Sequence, residues 1–161
     1  MIGFAIYALE AGGGTLAISP MPGRTRHYYT DWLHLSDWRP DLVITMTPQS
    51  ELERKGAGTL GSDLAQAGLA WRHFPVADFG TPSARQMTEW RDIARLAQET
   101  LARRGRVLVH CYGGCGRSGM AVLRIMIAVG EAPDAALARL RRIRPCAIET
   151  EDQMAWAQSE S

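Results

Sequence analysis

The residues best equipped for chemistry lie together in the stretch His110-Cys111-Tyr112-Gly113-Gly114-Cys115-Gly116-Arg117-Ser118-Gly119. Cys111 is a nucleophile by type. Gly113, Gly114 and Gly116 permit torsions that turn successive N–H groups inward, so the run from Tyr112 to Arg117 can form a concave anion site. A helix starting where this loop ends adds its positive end, a field that favours thiolate at Cys111. Arg117, in the first turn of that helix, can return its guanidinium over the loop and hold two oxygens of a tetrahedral oxyanion. Ser118 is placed to donate to the Cys111 sulfur and make it a better leaving group. Together these groups suit in-line attack of a thiolate on phosphorus, and expelling an alkoxide or phenolate then requires a proton from a second loop. Asp78, in His73-Phe74-Pro75-Val76-Ala77-Asp78-Phe79-Gly80-Thr81-Pro82, is the candidate acid; its bland alternative is a turn former ahead of Gly80. Gln153 can reach the same pocket and orient the attacking water, although Thr150 to Gln153 also fits a helix capping box. His110 is expected to support the loop by hydrogen bonding and not to move protons.

These side chains need a strand, a loop and a helix in that order. Val107-Leu108-Val109 reads as a buried parallel strand over Arg106 to His110, and Ser118 to Val129, apolar on nearly every face, as a buried helix ended by Gly130. Phe4 to Leu9 and Thr15 to Ser19 flank a glycine turn and predict a hairpin; Leu42 to Met46 and Ala70 to Val76 predict two further strands. Thr30 is the expected cap of a short helix with Trp32, Leu33 and Leu35. Thr47-Pro48 is expected to open another that Gly56 closes. Thr81-Pro82 opens a long helix with Met87, Trp90, Ala94, Ala97 and Leu101 at helical spacing, Pro133 to Arg144 forms an amphipathic one, and Thr150 begins the last. Alternating strands and helices imply an α/β three-layer domain with a mostly parallel central sheet of about four to five strands flanked by helices, residues 1–161 forming a single domain.

Composition narrows the function classes. With 161 residues, 46% hydrophobic and 22% charged, the chain can bury a core, and 18 basic against 17 acidic side chains give a net charge of +1. Neither a nucleic acid nor an anionic membrane surface is an expected partner. No apolar stretch approaches the roughly 18 residues of a membrane span, and the N-terminal segment lacks the basic start of a secretory leader. Cys111, Cys115 and Cys146 are too few and too clustered for a disulfide framework, which points to a reducing, cytoplasmic compartment. Under oxidation, Cys115 has Cys111 or Cys146 as a reversible partner. His27, His34 and His73 have no ligand spacing with the cysteines, so neither metal nor cofactor is expected.

The loop resembles that of the cysteine-dependent protein tyrosine phosphatase superfamily, in particular its compact dual-specificity branch and the kinase-associated phosphatases, with His-Cys-Tyr-Gly-Gly followed by one variable residue and Gly-Arg-Ser. The resemblance extends through Ile44-Thr45-Met46-Thr47 with Glu51-Leu52, through His73 to Pro82, and through Arg144-Pro145 to Gln153. It implies Cys111 as nucleophile and phosphocysteine site, Arg117 as phosphate clamp, Asp78 as general acid, Ser118 as leaving-group stabiliser and Gln153 in support. Cys115 departs from the pattern, which has an apolar residue there. The implied substrate is a phosphorylated protein, with phosphotyrosine first and phosphoserine or phosphothreonine beside it. Alternatives are an inactive phosphoprotein-binding module, a phosphatase of small molecules or phosphoinositides, and a sulfur-transfer or arsenate-reducing enzyme. The absence of lysine between Cys111 and Arg117 argues against lipids.

Overall fold

A computed structural model describes residues 3–159. Met1 and Ile2, the start of the segment in which no leader is expected, lie outside the described residues. The strands are β1 (Tyr7–Ala11), β2 (Gly14–Ser19), β3 (Leu42–Thr45), β4 (Ala70–His73) and β5 (Arg106–His110); the helices are α1 (Tyr28–Trp38), α2 (Gln49–Arg54), α3 (Leu60–Gln66), α4 (Met87–Ala102), α5 (Gly116–Ala128), α6 (Pro133–Ile143) and α7 (Glu151–Gln158). They build a five-stranded sheet in the order β1-β2-β5-β3-β4, antiparallel only between β1 and β2.

Strand alternation divides the core in two. Leu16, Ile18, Ile44, Val107 and Val109 face the apolar sides of α4 to α7, where Ile93, Leu101, Met120 and Leu140 are fully or almost fully buried. Ala17, Val43 and Leu108 face the other way onto Leu35 of α1, Leu52 of α2 and Leu60 and Leu64 of α3. The result is the expected helix–sheet–helix layering. Its parallel strands β2, β5 and β3 end at Ser19, His110 and Thr45, so the loop after β5 opens at their carboxyl ends, where α/β sheets place ligand sites.

Local boundaries differ from expectation for identifiable reasons. The fourth strand stops at His73 because Pro75 has no N–H to donate, although Phe74 and Val76 still donate to the Thr45 and Met46 carbonyls at 2.8 and 3.0 Å. Thr47 does not cap α2: Pro48 occupies the cap position, and the Thr47 hydroxyl is buried without a partner among the described residues. Thr30 lies inside α1, which starts at Tyr28. The long helix starts at Met87, after a turn of 3₁₀ helix in which the Gln86 side chain accepts from the Ser83 N–H at 2.9 Å. The helix after the loop begins at Gly116, two residues earlier than expected, which puts Cys115 at its N-cap. Among the described residues no helix is long and apolar enough to cross a membrane.

Candidate active site

The loop from Cys111 to Cys115 is shaped from outside by what holds its carbonyls. The Cys111 carbonyl accepts from His110 Nδ1 at 3.3 Å and that of Tyr112 from the Met21 N–H at 3.0 Å. Those of Gly113 and Gly114 accept from Arg144 Nη2 and Nε at 2.9 and 3.0 Å, and that of Cys115 from the Ile148 N–H at 3.0 Å. With the carbonyls turned outward, the peptide planes aim the N–H groups from Tyr112 to Ser118 inward, and none of them donates to an acceptor among the described residues. Gly114 is required here: its φ is +72°, and a Cβ would come within 2.6 Å of the Ser19 and Pro20 backbone.

Cys111 sits at the floor, 2% exposed, with its sulfur 3.1 Å from the Ser118 hydroxyl. Arg117 is 1% exposed, and its Nη1 and Nη2 meet the two oxygens of Glu51 at 2.9 and 3.0 Å while Nη1 also donates to the Val76 carbonyl at 2.9 Å. Burial works against the charged guanidinium. The Glu51 hydrogen bonds, with the charges at Cys111, Glu51 and Asp78, outweigh that penalty and hold Arg117 above the ordinary arginine value. Its Nε is buried with no protein partner among the described residues. An oxyanion in the loop satisfies both this orphaned donor and the inward N–H groups.

Asp78 reaches the same place from the loop after β4. One of its oxygens lies 3.3 Å from Arg117 Nη2 and accepts from the Phe79 N–H at 3.0 Å, while the carboxyl stays about half exposed. Phe79, with φ +60° and 60% of its surface exposed, projects at the rim. Cys111, Arg117, Asp78, Phe79 and Tyr112 line one cavity of about 410 Å³. The structure thus brings Cys111, Arg117, Ser118 and Asp78 together.

Gln153 is placed differently. Its backbone N–H donates to Thr150 Oγ1 at 3.0 Å, its Oε1 accepts from the Glu149 and Thr150 N–H groups, and its Nε2 donates to the Gly80 carbonyl at 3.3 Å. The capping box forms, and the fully buried amide spends both ends on backbone, tying α7 to the Asp78 loop while lying against Gly116, where a Cβ would come 2.9 Å from its Oε1. His110, fully buried, lies with Nε2 2.7 Å from the Thr45 hydroxyl, which also accepts from Trp71 Nε1 at 2.8 Å. This network suits neutral imidazole with its proton on Nδ1. Burial, aided by His73 and Arg117 and opposed by the Cys111 carbonyl, pushes its pKa down to about 4.

One partnership escaped the sequence reading. Glu51 falls within the resembling segment but nothing local marks it as the partner of Arg117, 66 residues away. Of the two oxidised partners open to Cys115, the structure has Cys146, bonded with 5.2 Å between Cα atoms, and Cys111 is left free. Cys115 is not available to Cys111 in this arrangement, because its sulfur is bonded to Cys146 in the α6–α7 loop.

A family model described as Tc-R-P, polymorphic toxin system, DSP-PTPase phosphatase, matches residues 20–131. The chain belongs to this family. Cyclin-dependent kinase inhibitor 3 of Mus musculus is 30% identical to this DSP-PTPase over 120 residues, covering 74% of the chain and 56% of the relative. Its Homo sapiens namesake is 29% identical over 104 residues, covering 63% and 48%. The DSP-PTPase chain spans about half the length of the curated relatives it matches. A crystal structure of kinase associated phosphatase with its catalytic cysteine replaced by serine aligns at TM-score 0.84 and 23% identity, over 98% of this chain and 94% of the other. Tk-PTP in its active form aligns at TM-score 0.71 and 29% identity, over 93% and 92%. The layered sheet is therefore a phosphatase fold, and residues 20–131 are a DSP-PTPase family domain.

Proposed function

We propose that residues 1–161 act as one catalytic domain that hydrolyses phosphotyrosine, and also phosphoserine and phosphothreonine, monoesters of proteins through a phosphocysteine intermediate. The observation that carries this is the free, buried Cys111 beneath a run of inward N–H groups and the unpartnered Arg117 Nε. The Cys111 thiolate attacks phosphorus in line while those donors hold the non-bridging oxygens. Asp78 protonates the departing ester oxygen. Water then attacks the phosphocysteine, and the Ser118 hydroxyl, 3.1 Å from the sulfur, stabilises the leaving thiolate.

Substrate class is read from the rim. Exposed Phe79 and the Tyr112 ring offer apolar walls to an aryl group, and Arg24 Cζ and Lys55 Nζ lie 5.5 and 5.8 Å from the Tyr112 ring centroid. That pair of cations suits acidic residues flanking a phosphorylated side chain. A cytoplasmic working place, expected from the cysteine count, would leave the Cys115–Cys146 bond labile, since reducing thiol pools open exposed disulfides.

The test is hydrolysis of p-nitrophenyl phosphate and of a phosphotyrosine peptide, with chelator present, by wild type and Cys111→Ser. Wild-type turnover that survives chelation and vanishes in the variant, with label on the Cys111 peptide after acid quenching, is expected. A folded wild type that binds phosphate without turning over either substrate overturns the reading in favour of a binding module.

A further inference from the structure

The anion site exists only while the loop carbonyls stay turned outward, so whatever holds them sets the site. Apart from the Gly119 N–H of α5, which also donates to the Cys115 carbonyl at 2.9 Å, the bonds to the Gly113, Gly114 and Cys115 carbonyls come from one short segment, Arg144 to Ile148, between α6 and α7. Arg144 spends Nη2 and Nε on neutral carbonyls, stacks with its Cζ 4.5 Å from the Tyr7 ring centroid, and has no carboxylate partner among the described residues. Midway along the segment Cys146 is covalently joined to Cys115. The segment is seated directly on the first turn of α5: a Cβ at Gly119 would lie 2.7 Å from the Ile148 nitrogen.

We propose that Arg144 and the Cys115–Cys146 disulfide form one strap that positions the phosphate loop, so that opening the disulfide weakens oxyanion binding at Cys111. Arg144 is a positioning residue in this scheme. The turnover half of the proposal rests on the reading above; the binding half stands without it.

The route for opening is asymmetric. Cys146 is exposed, whereas Cys115 is only partly so, and an external thiolate therefore meets the disulfide at Cys146 first. Its attack forms a mixed disulfide at Cys146 and breaks the Sγ–Sγ bond, with Cys115 leaving as thiolate. The second thiol of a dithiol reductant then attacks the mixed disulfide, releasing Cys146; both cysteines end as thiols, and the reductant, having supplied two electrons, becomes a cyclic disulfide. Cys115 Sγ lies 3.9 Å from Arg144 Nη2. Released from Cys146, the Cys115 sulfur is free to compete with the Gly113 carbonyl for that guanidinium, and the covalent tether between loop and strap is gone. Both effects act against the substrate, and in the direction opposite to ordinary oxidation of a catalytic cysteine.

The experiment titrates inorganic phosphate calorimetrically, and measures aryl phosphate kinetics, on wild type before and after dithiothreitol, with Cys146→Ser, Arg144→Gln and Arg144→Lys alongside. Reduction is expected to weaken phosphate binding and raise KM about tenfold, in line with losing charge-assisted hydrogen bonds, with kcat changing less. Cys146→Ser should match reduced wild type and ignore dithiothreitol. Arg144→Gln should show a similar loss with the disulfide intact, and Arg144→Lys a partial recovery. Because reduced wild type carries no substitution, misfolding of a variant does not obscure the result. Phosphate affinity within twofold before and after reduction, or turnover that rises on reduction as an oxidised Cys111 recovers, overturns the strap. Alkylation showing Cys115 and Cys146 as free thiols in oxidised protein does so too. Redox-dependent phosphate binding without turnover would instead leave the strap standing and remove the phosphatase reading.

Discussion

Glu51→Gln is the perturbation that most directly tests how Arg117 is aimed. In the native site two charge-assisted hydrogen bonds of 2.9 and 3.0 Å join the pair, with the side chains 1% and 13% exposed. Glutamine keeps the shape and one acceptor but turns an NH2 group against a guanidinium NH2. One such bond is lost and a donor–donor repulsion takes its place, roughly 2–3 kcal/mol by the usual worth of hydrogen bonds to charged groups. Asp78, 3.3 Å from Arg117 Nη2, then becomes the stronger attraction, drawing the guanidinium toward the general acid and away from the phosphate.

Two readouts follow from the same number. Thermal unfolding should fall by about 4–12 °C, taking roughly 2–4 °C per kcal/mol for a chain of this size. At 25 °C, where the variant remains folded, kcat/KM for p-nitrophenyl phosphate should drop about 30-fold or more, since 1.4 kcal/mol is tenfold. Glu51→Asp, one methylene shorter, should fall between. A melting temperature that drops while kcat/KM stays within twofold of wild type would falsify the aiming role and reduce Glu51 to a counter-charge.

Asp78→Asn should slow hydrolysis of alkyl and phenyl phosphates by about 10²–10⁴ while affecting p-nitrophenyl phosphate much less, because a good leaving group needs little protonation; equal losses on all esters would remove the acid role. Ser118→Ala, which takes away the hydroxyl 3.1 Å from the sulfur, should prolong the phosphocysteine and increase labelled enzyme at acid quench; unchanged steady-state label would sink that assignment. His110 is fully buried and titrates near 4, below the ordinary 6.5, so the unfolded chain binds the extra proton across that window. Stability is therefore undiminished by this group above about pH 6.5 and loses roughly 3 kcal/mol as pH falls to about 4. A His110 imidazole resonance titrating near 6.5 in folded protein contradicts the burial argument.

What could be read from the residues alone follows from how local each determinant is. Cys111, the glycines, Arg117 and Ser118 are contiguous, and the apolar run Val107-Leu108-Val109 before them has no alternative to a buried strand, so the loop and its scaffold were legible together. Asp78 was legible because a turn after a strand places it at the same sheet edge. The partner of Arg117 was not: many carboxylates precede it, and only the parallel pairing of β3 with β5 brings the start of α2 over the loop. Arg144 was hidden for a similar reason, since it directly follows Arg139, Arg141 and Arg142 of α6, and such a cluster reads as a solvated face. Strand and helix ends failed where tertiary contacts overrode local chemistry, as at Thr47, buried beside a proline that took the cap position.

Cys115 shows why a departure from a familial pattern carries structural information. An apolar residue expected at that position would hold the loop against the α6–α7 segment by packing. The cysteine makes the same junction covalently, between the Arg144 bonds on one side and the Ile148 bond on the other. Packing at that junction would be insensitive to redox conditions. A disulfide with Cys146 exposed is not. The substitution therefore leaves the catalytic groups where they are and changes only what governs the shape of the anion site. That makes the strap, and not Cys111, the place where the response of this phosphatase to reductants should diverge from that of a relative with an apolar residue in the same position.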